Sequence, residues 1–147
     1  TRAPRPGELN GVHYYFVSTQ EFDAMIERGD MLEWALVHGK NKYGTPRGPV
    51  DDALEAGKPV LLEIDLAGAR QVRSTRPDAQ FIFLAPPSWE ELERRLIGRG
   101  TESPEEQARR LATARVELEA ASEFDHVVIN DDVERAVDEL ARLIGLE

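Results

Sequence analysis

Three short apolar runs set the tightest limit on what this chain can fold into. Val60-Leu61-Leu62-Glu63-Ile64-Asp65, Phe81-Ile82-Phe83-Leu84 and Val127-Val128-Ile129 are largely apolar at successive positions rather than alternate ones. That is the pattern of strands buried on both faces, as in parallel sheets. Segments with helical spacing lie between and after them. Ser88-Trp89-Glu90-Glu91 reads as a capping box opening a helix that ends near Gly98. Ser103-Pro104-Glu105-Glu106 opens a longer one, with Ala108, Leu111, Ala114, Leu118 and Ala121 as its apolar stripe. A last helix carries Val133, Ala136, Val137, Leu140 and Ile144 before Gly145. Strand–helix alternation of this kind predicts an α/β core with ligands at the carboxyl ends of its strands.

The amino-terminal part differs in character. Residues 1–12 hold Pro4, Pro6, Gly7 and Gly11 and read as an irregular arm. Ser18-Thr19-Gln20-Glu21 is a capping box, followed by Phe22, Met25 and Ile26 on one helix face and a stop at Gly29. Met31 to Val37 predicts a strand, and residues 49–56 a short helix begun by proline and ended by Gly57. The expected division is residues 1–57 and 58–147.

Composition excludes several roles. The 147 residues carry 28 acids against 18 bases, a net charge of −10, which repels a polyanion and sets a general nucleic-acid-binding role at a disadvantage. No apolar run is long enough for a membrane span, and no leading segment has the form of a secretion signal. Without cysteine there is no disulfide framework, which fits a cytoplasmic protein. His13, His38 and His126 are scattered and give no metal-ligand spacing.

The chemistry concentrates in the first 45 residues. Arg2 and Arg5 are three apart with Pro4 between them. A polyproline-type arm, at three residues per turn, points both guanidiniums toward one anion. Arginine forks grip phosphate bidentately, although two arginines in a proline-rich terminus also occur as a solvated tail. Tyr14 and Tyr43 add two phenols, which elsewhere are simply core aromatics. Glu33 interrupts the apolar stretch Leu32-Glu33-Trp34-Ala35-Leu36-Val37. A carboxylate there suits the ring N–H and exocyclic amine of guanine, with the Thr45 hydroxyl donating to the 6-oxo group. A solvent-facing strand residue is the other reading of Glu33.

These residues fall into a recognisable order. Thr1-Arg2-x-Pro4-Arg5-x-Gly7-Glu8, Asn10-Gly11-x-x-Tyr14-x-Phe16-Val17-Ser18, Leu32-Glu33-Trp34-Ala35 and Tyr43-Gly44-Thr45 resemble the GMP-binding region of guanylate kinases. Ile64-Asp65-Leu66-x-Gly68, Phe83-Leu84-x-Pro86-Pro87-Ser88, Leu96-x-Gly98-Arg99-Gly100-Thr101-Glu102 and Val128-Ile129-Asn130-Asp131-Asp132 resemble its later part. The resemblance implies a P-loop-NTPase-type parallel sheet with a GMP-binding subdomain and a helical lid at about residues 95–115. It implies phosphate contacts from Arg2, Arg5, Tyr14 and Tyr43, and guanine contacts from Glu33 and Thr45. Glu63 is expected to line the same pocket. Asp65 resembles the acid beside the phosphates and the Mg2+ that arrives with ATP, and Asn130 matches a position near the adenine. Arg95, Arg99 and Arg110 match lid arginines that contact the ATP phosphates, although Glu90, Glu91 and Glu93 also allow a plain surface helix of Glu–Arg pairs. Ala67 stands where many members carry glutamine, a departure expected to be tolerated.

One element of the family's machinery is not found. The pattern Gly-x-x-x-x-Gly-Lys-Ser/Thr cradles the phosphates of ATP. Here the Gly-Lys pairs are Gly39-Lys40 and Gly57-Lys58, followed by Asn41 and Pro59, with Trp34 and Asp52 at the first-glycine positions. The family carries that loop, its first strand and one further base-reading serine ahead of the position that Thr1 matches. The chain is therefore expected to be the remainder of a longer guanylate kinase that by itself binds GMP weakly, transfers no phosphate and is marginally stable or leans on a partner surface. The competing reading is a guanylate-kinase-like interaction module whose phosphate pocket grips a phosphorylated peptide without catalysis. Oligomeric state stays open.

Overall fold

A computed structural model describes residues 1–37, 39–97 and 103–146. Its elements run α1 (Thr19–Glu27), β1 (Met31–Val37), β2 (Asn41–Pro46), α2 (Arg47–Glu55), α3 (Leu66–Thr75), β3 (Ile82–Ala85), α4 (Trp89–Ile97), α5 (Pro104–Glu119), a 3₁₀ turn (Ala120–Glu123), β4 (His126–Ile129) and α6 (Val133–Leu143). The chain divides into two compact units, Thr1–Ala79 and Gln80–Glu147.

In the first unit β1 and β2 form an antiparallel pair, with Glu33 opposite Thr45 and Trp34 opposite Gly44. Ser18 caps α1 as expected: its hydroxyl accepts the Glu21 N–H while the Glu21 carboxylate returns to the Ser18 N–H. Gly29 ends that helix at φ +73°, a left-handed conformation that costs glycine little. Phe22 on α1 is buried and meets the Trp34 ring edge-on, with centroids 6.4 Å apart. An ion pair from Lys42 on β2 to Asp23 ties the same helix to the ladder. Met31 and Leu32 of β1 and Ala69 and Val72 of α3 complete the buried apolar core of this unit. Helix α2 starts two residues before the expected position, with Pro46 as its N-cap residue, and stops at Gly57 with φ +70°.

The run at residues 60–65 is a correction. The sequence predicts a buried parallel strand there, yet the run belongs to no strand or helix, and Val60 and Leu61 are 37% and 69% exposed. An apolar run marks a strand only when a neighbour pairs its backbone groups, and among the described residues none does so here. It serves as the connection into Asp65, whose carboxylate caps α3 by accepting the Gly68 N–H at 2.8 Å.

In the second unit β3 and β4 pair in parallel with Leu84 opposite Val128, as the apolar runs predict. Val128 is fully buried, and Phe83 meets Phe124 edge-on at 5.2 Å. Ser103 forms the expected capping box with Glu106 at the start of α5. At Ser88 the box is only half made: its hydroxyl accepts the Glu91 N–H, but the Glu91 carboxylate takes Arg94 and Arg95 instead. The stripes are also narrower than the spacing suggests. Ala108 is exposed, and on α6 Val133 and Val137 face outward while Ala136 is buried. The cation–π contact of Arg115 over Trp89, 4.3 Å from the ring centre, joins α5 to α4.

Candidate functional site

A cavity of about 490 Å³ opens in the first unit between the irregular arm, α1 and β2. Arg2, Tyr14, Tyr43 and Thr45 contribute to its wall, beside apolar Phe16 and Phe22. That size and mixture of aromatic and convergent polar groups suits a mononucleotide.

The arm is set against the ladder by backbone chemistry, since the Lys42 N–H donates to the Thr1 hydroxyl at 2.9 Å. This brings Arg2 next to Tyr43. The polyproline reading expects the Arg2 guanidinium to point with that of Arg5 toward one anion, whereas here it is engaged within the arm. Both terminal nitrogens donate to the Glu8 carboxylate at 2.7 Å, and one also reaches the Ala3 carbonyl. The pair is 15% and 18% exposed. The guanidinium carbon lies 5.3 Å from the Tyr14 ring centre and 5.7 Å from that of Phe16. Tyr14 in turn meets Tyr43 edge-on at 6.2 Å. The Arg2 hydrogen bond, aided by the Arg5 backbone N–H, holds the Glu8 carboxyl down to about 2. Glu8 and the Tyr43 hydroxyl together raise the Arg2 guanidinium further above its ordinary value. Arg5 itself is exposed and outside the cavity wall.

The sign of the Glu8 shift gives a testable pH dependence. A carboxyl depressed on folding adds stability above its ordinary value of about 4.5, and that contribution is lost as pH falls toward about 2. The urea midpoints of the native chain and Glu8→Gln are expected to differ at pH 7 and to converge at about pH 2, the depressed value. A difference unchanged by acid would contradict the pairing.

The second cluster is half-buried. The Thr45 hydroxyl donates to Glu33 Oε1 at 2.7 Å, across the ladder position that the strand register makes opposite. The other carboxylate oxygen of Glu33 rests against the first turn of α3, 3.2 Å from where a Cβ on Gly68 would stand. There it meets the positive end of the helix dipole. Asp65 caps that same turn. Glu63 is exposed in the connection before it and lies outside the cavity wall.

The remaining predicted residues belong to the second unit. Arg95 on α4 donates to Glu91 at 2.7 Å and is 44% exposed. Arg110 is exposed on α5, and Arg99 lies outside the described residues, as do Gly98 and Gly100. Asn130 follows β4 and donates its N–H to the Ala85 carbonyl at 2.7 Å. Sequence reasoning passed over two groups. Glu8 stood in the quoted arm motif but was not given a partner. Gln71, on α3, exchanges two hydrogen bonds with the Trp34 backbone.

A guanidinium, two phenols and the Thr45 hydroxyl thus line the first unit's cavity, and Glu33, hydrogen-bonded to Thr45, stands outside that wall. Sequence comparison gives the class. The family model described as guanylate kinase matches residues 1–147. The guanylate kinase of Thermobifida fusca is 62% identical over 145 residues, covering 99% of this chain and 74% of the relative. That of Cutibacterium acnes is 58% identical over 146 residues, covering 99% and 73%. The crystal structure of guanylate kinase from Anaplasma phagocytophilum matches with a TM-score of 0.74 at 35% identity, covering 99% of this chain and 71% of that one. The chain belongs to the guanylate kinase family.

Proposed function

We propose that the family's reaction, transfer of the ATP γ-phosphate to GMP giving GDP and ADP, uses the first unit of this chain as its acceptor site. The observation that carries this reading is the hydrogen-bonded Glu33–Thr45 pair on a ladder where Tyr43, two residues before Thr45 on β2, belongs to the arginine–phenol cluster. Arg2, oriented by Glu8, and Arg5 neutralise the GMP phosphate, and the Tyr14 and Tyr43 hydroxyls donate to its oxygens. Glu33 accepts from the guanine ring N–H and amine. A hydroxyl has one proton, so Thr45 turns it from Glu33 to the 6-oxo oxygen when guanine binds. Glu63, exposed and acceptor-only, takes a further donor of the guanylate.

Phosphoryl transfer rests on positioning and on positive charge around the moving group. Arg95, Arg99 and Arg110 supply that charge to the ATP phosphates, and Arg95 must leave Glu91 to do so. Asn130 meets the adenine. The Mg2+ that accompanies ATP favours hard oxygen ligands. Asp65 is exposed and spends one carboxylate oxygen on capping α3, so its other oxygen fits that ion, whose chemistry is neutralisation of phosphate charge.

Calorimetry with GMP, AMP and a phosphoserine peptide tests the reading. GMP is expected to bind at least about a hundredfold tighter than AMP, because a site built on paired acceptors rejects a base lacking the matching donors. Peptide binding with no preference between the two nucleotides would replace it with the interaction-module alternative.

A further inference from the structure

Among the described residues strand β1 pairs with β2 along one edge, and its other edge presents backbone groups that need partners. No third strand supplies them among the described residues; helix α3 does. The Trp34 N–H donates to the Gln71 side-chain oxygen at 3.0 Å, and the Gln71 amide nitrogen donates to the Trp34 carbonyl at 3.0 Å. This reciprocal exchange copies what a residue of a neighbouring antiparallel strand does. One helical turn later the Thr75 hydroxyl lies 3.1 Å from the Leu32 carbonyl and shares its single proton with the Gln71 and Val72 carbonyls of its own helix, at 3.2 and 3.3 Å. Leu32 and Trp34 are the two residues that flank Glu33. On its opposite edge Glu33 faces Thr45, and its carboxylate leans on the first turn of α3 at Gly68. Helix α3 therefore holds the strand at Trp34 through Gln71, with the shared Thr75 contact at Leu32 as a lesser support, and also supplies the surface behind the Glu33 carboxylate.

We propose that Gln71 is a positioning residue for guanine specificity: its side-chain amide stands in for a missing strand neighbour and fixes where Glu33 presents its two oxygens. Two donors on the guanine edge demand two acceptors held at the right spacing, and a small rotation of β1 spoils one contact before the other. Gln71 is half-buried, and it touches the backbone beside Glu33 rather than the base. Its effect should fall on discrimination between bases that differ by a single donor, and not on the phosphate grip at Arg2 and Tyr14.

This inference rests on the proposal that Glu33 reads guanine, and the experiment separates the two. GMP and IMP affinities are measured by calorimetry for the native chain, Gln71→Met and Gln71→Glu, with thermal melting of each. IMP keeps the phosphate, the 6-oxo group and the ring N–H but lacks the exocyclic amine. Methionine keeps the side chain's length without either bond, whereas glutamate keeps the acceptor for the Trp34 N–H and loses the donor to its carbonyl. For Gln71→Met the GMP-to-IMP affinity ratio is expected to fall about tenfold, the size of one charge-assisted hydrogen bond. Gln71→Glu should fall between it and the native chain, with IMP affinity nearly unchanged in both. A native chain that does not prefer GMP to IMP sinks the Glu33 reading itself. A native preference that survives in a folded Gln71→Met, or a parallel loss of both nucleotides, overturns the role of Gln71. If Gln71→Met does not fold, Gln71→Glu decides by the same ratio.

Discussion

Replacing Glu33 by alanine is expected to weaken GMP binding about a thousandfold while leaving AMP affinity within about threefold, taking one charge-assisted hydrogen bond at about 1.5–3 kcal/mol and one decade per 1.4 kcal/mol. The guanine edge places two donors against one carboxylate, so two such bonds are lost together, and the product spans about two to four decades. AMP offers no matching donor pair and has nothing there to lose. The side chain is half-buried and outside the core formed by Phe22, Met31, Leu32, Ala69 and Val72, so folding should survive. Thr45 loses its present acceptor but sits at a cavity wall, where water can replace it. Glu33→Gln makes a sharper control, because its amide end turns a donor toward a guanine donor. It is expected to lose nearly as much as alanine. Isothermal titration of each variant with GMP and AMP checks this, and a Glu33→Ala protein that still prefers GMP by a hundredfold would end the assignment.

The carboxylate is legible in the sequence through local contrast. Glu33 stands out because every neighbour from Leu32 to Val37 is apolar, and Thr45 stands out because it follows an aromatic and a glycine. Capping boxes at Ser18 and Ser103 were equally legible, since both partners lie within four residues. The losses occur where meaning depends on distant chain. Gln71 and Trp34 are 37 residues apart, and nothing in the helical spacing of α3 says that one glutamine on it will face a strand edge. The arm motif advertised two arginines but not that Arg2 folds back onto Glu8. Residues 60–65 have a strand's composition without a strand's neighbour, and composition reports burial tendency rather than pairing. Outward-facing Val133 and Val137 show the same limit on α6, where periodicity marks a stripe but not its covered width.

The ladder that places Glu33 against Thr45 tolerates no side chain at Gly44, and this yields the second large effect. A Cβ there would stand 2.3 Å from Met31 Cε, 2.6 Å from the Glu33 carbonyl oxygen and 2.9 Å from Trp34 Cβ. The methionine tip can swing aside, but the other two atoms are fixed by the strand they belong to. Gly44→Ala must therefore push β2 away from β1 at the rung beside Glu33–Thr45. We expect a loss of about 3 kcal/mol, the upper end of overpacking costs, because the obstruction is backbone and not a flexible side chain. For a chain of this length that corresponds to a melting temperature lower by roughly 6–12 °C. GMP affinity should drop by about tenfold as Thr45 and Glu33 are moved apart and no longer meet the guanine edge together. Gly48, in the first turn of α2, is the matched control, since a Cβ there meets nothing within 4 Å. Gly48→Ala should leave GMP binding intact and raise stability by up to about 1 kcal/mol through helix propensity. Thermal melts paired with GMP titrations distinguish the outcomes. If Gly44→Ala melts with the native chain and binds GMP as tightly, then the β1–β2 spacing does not set the geometry of the guanine edge.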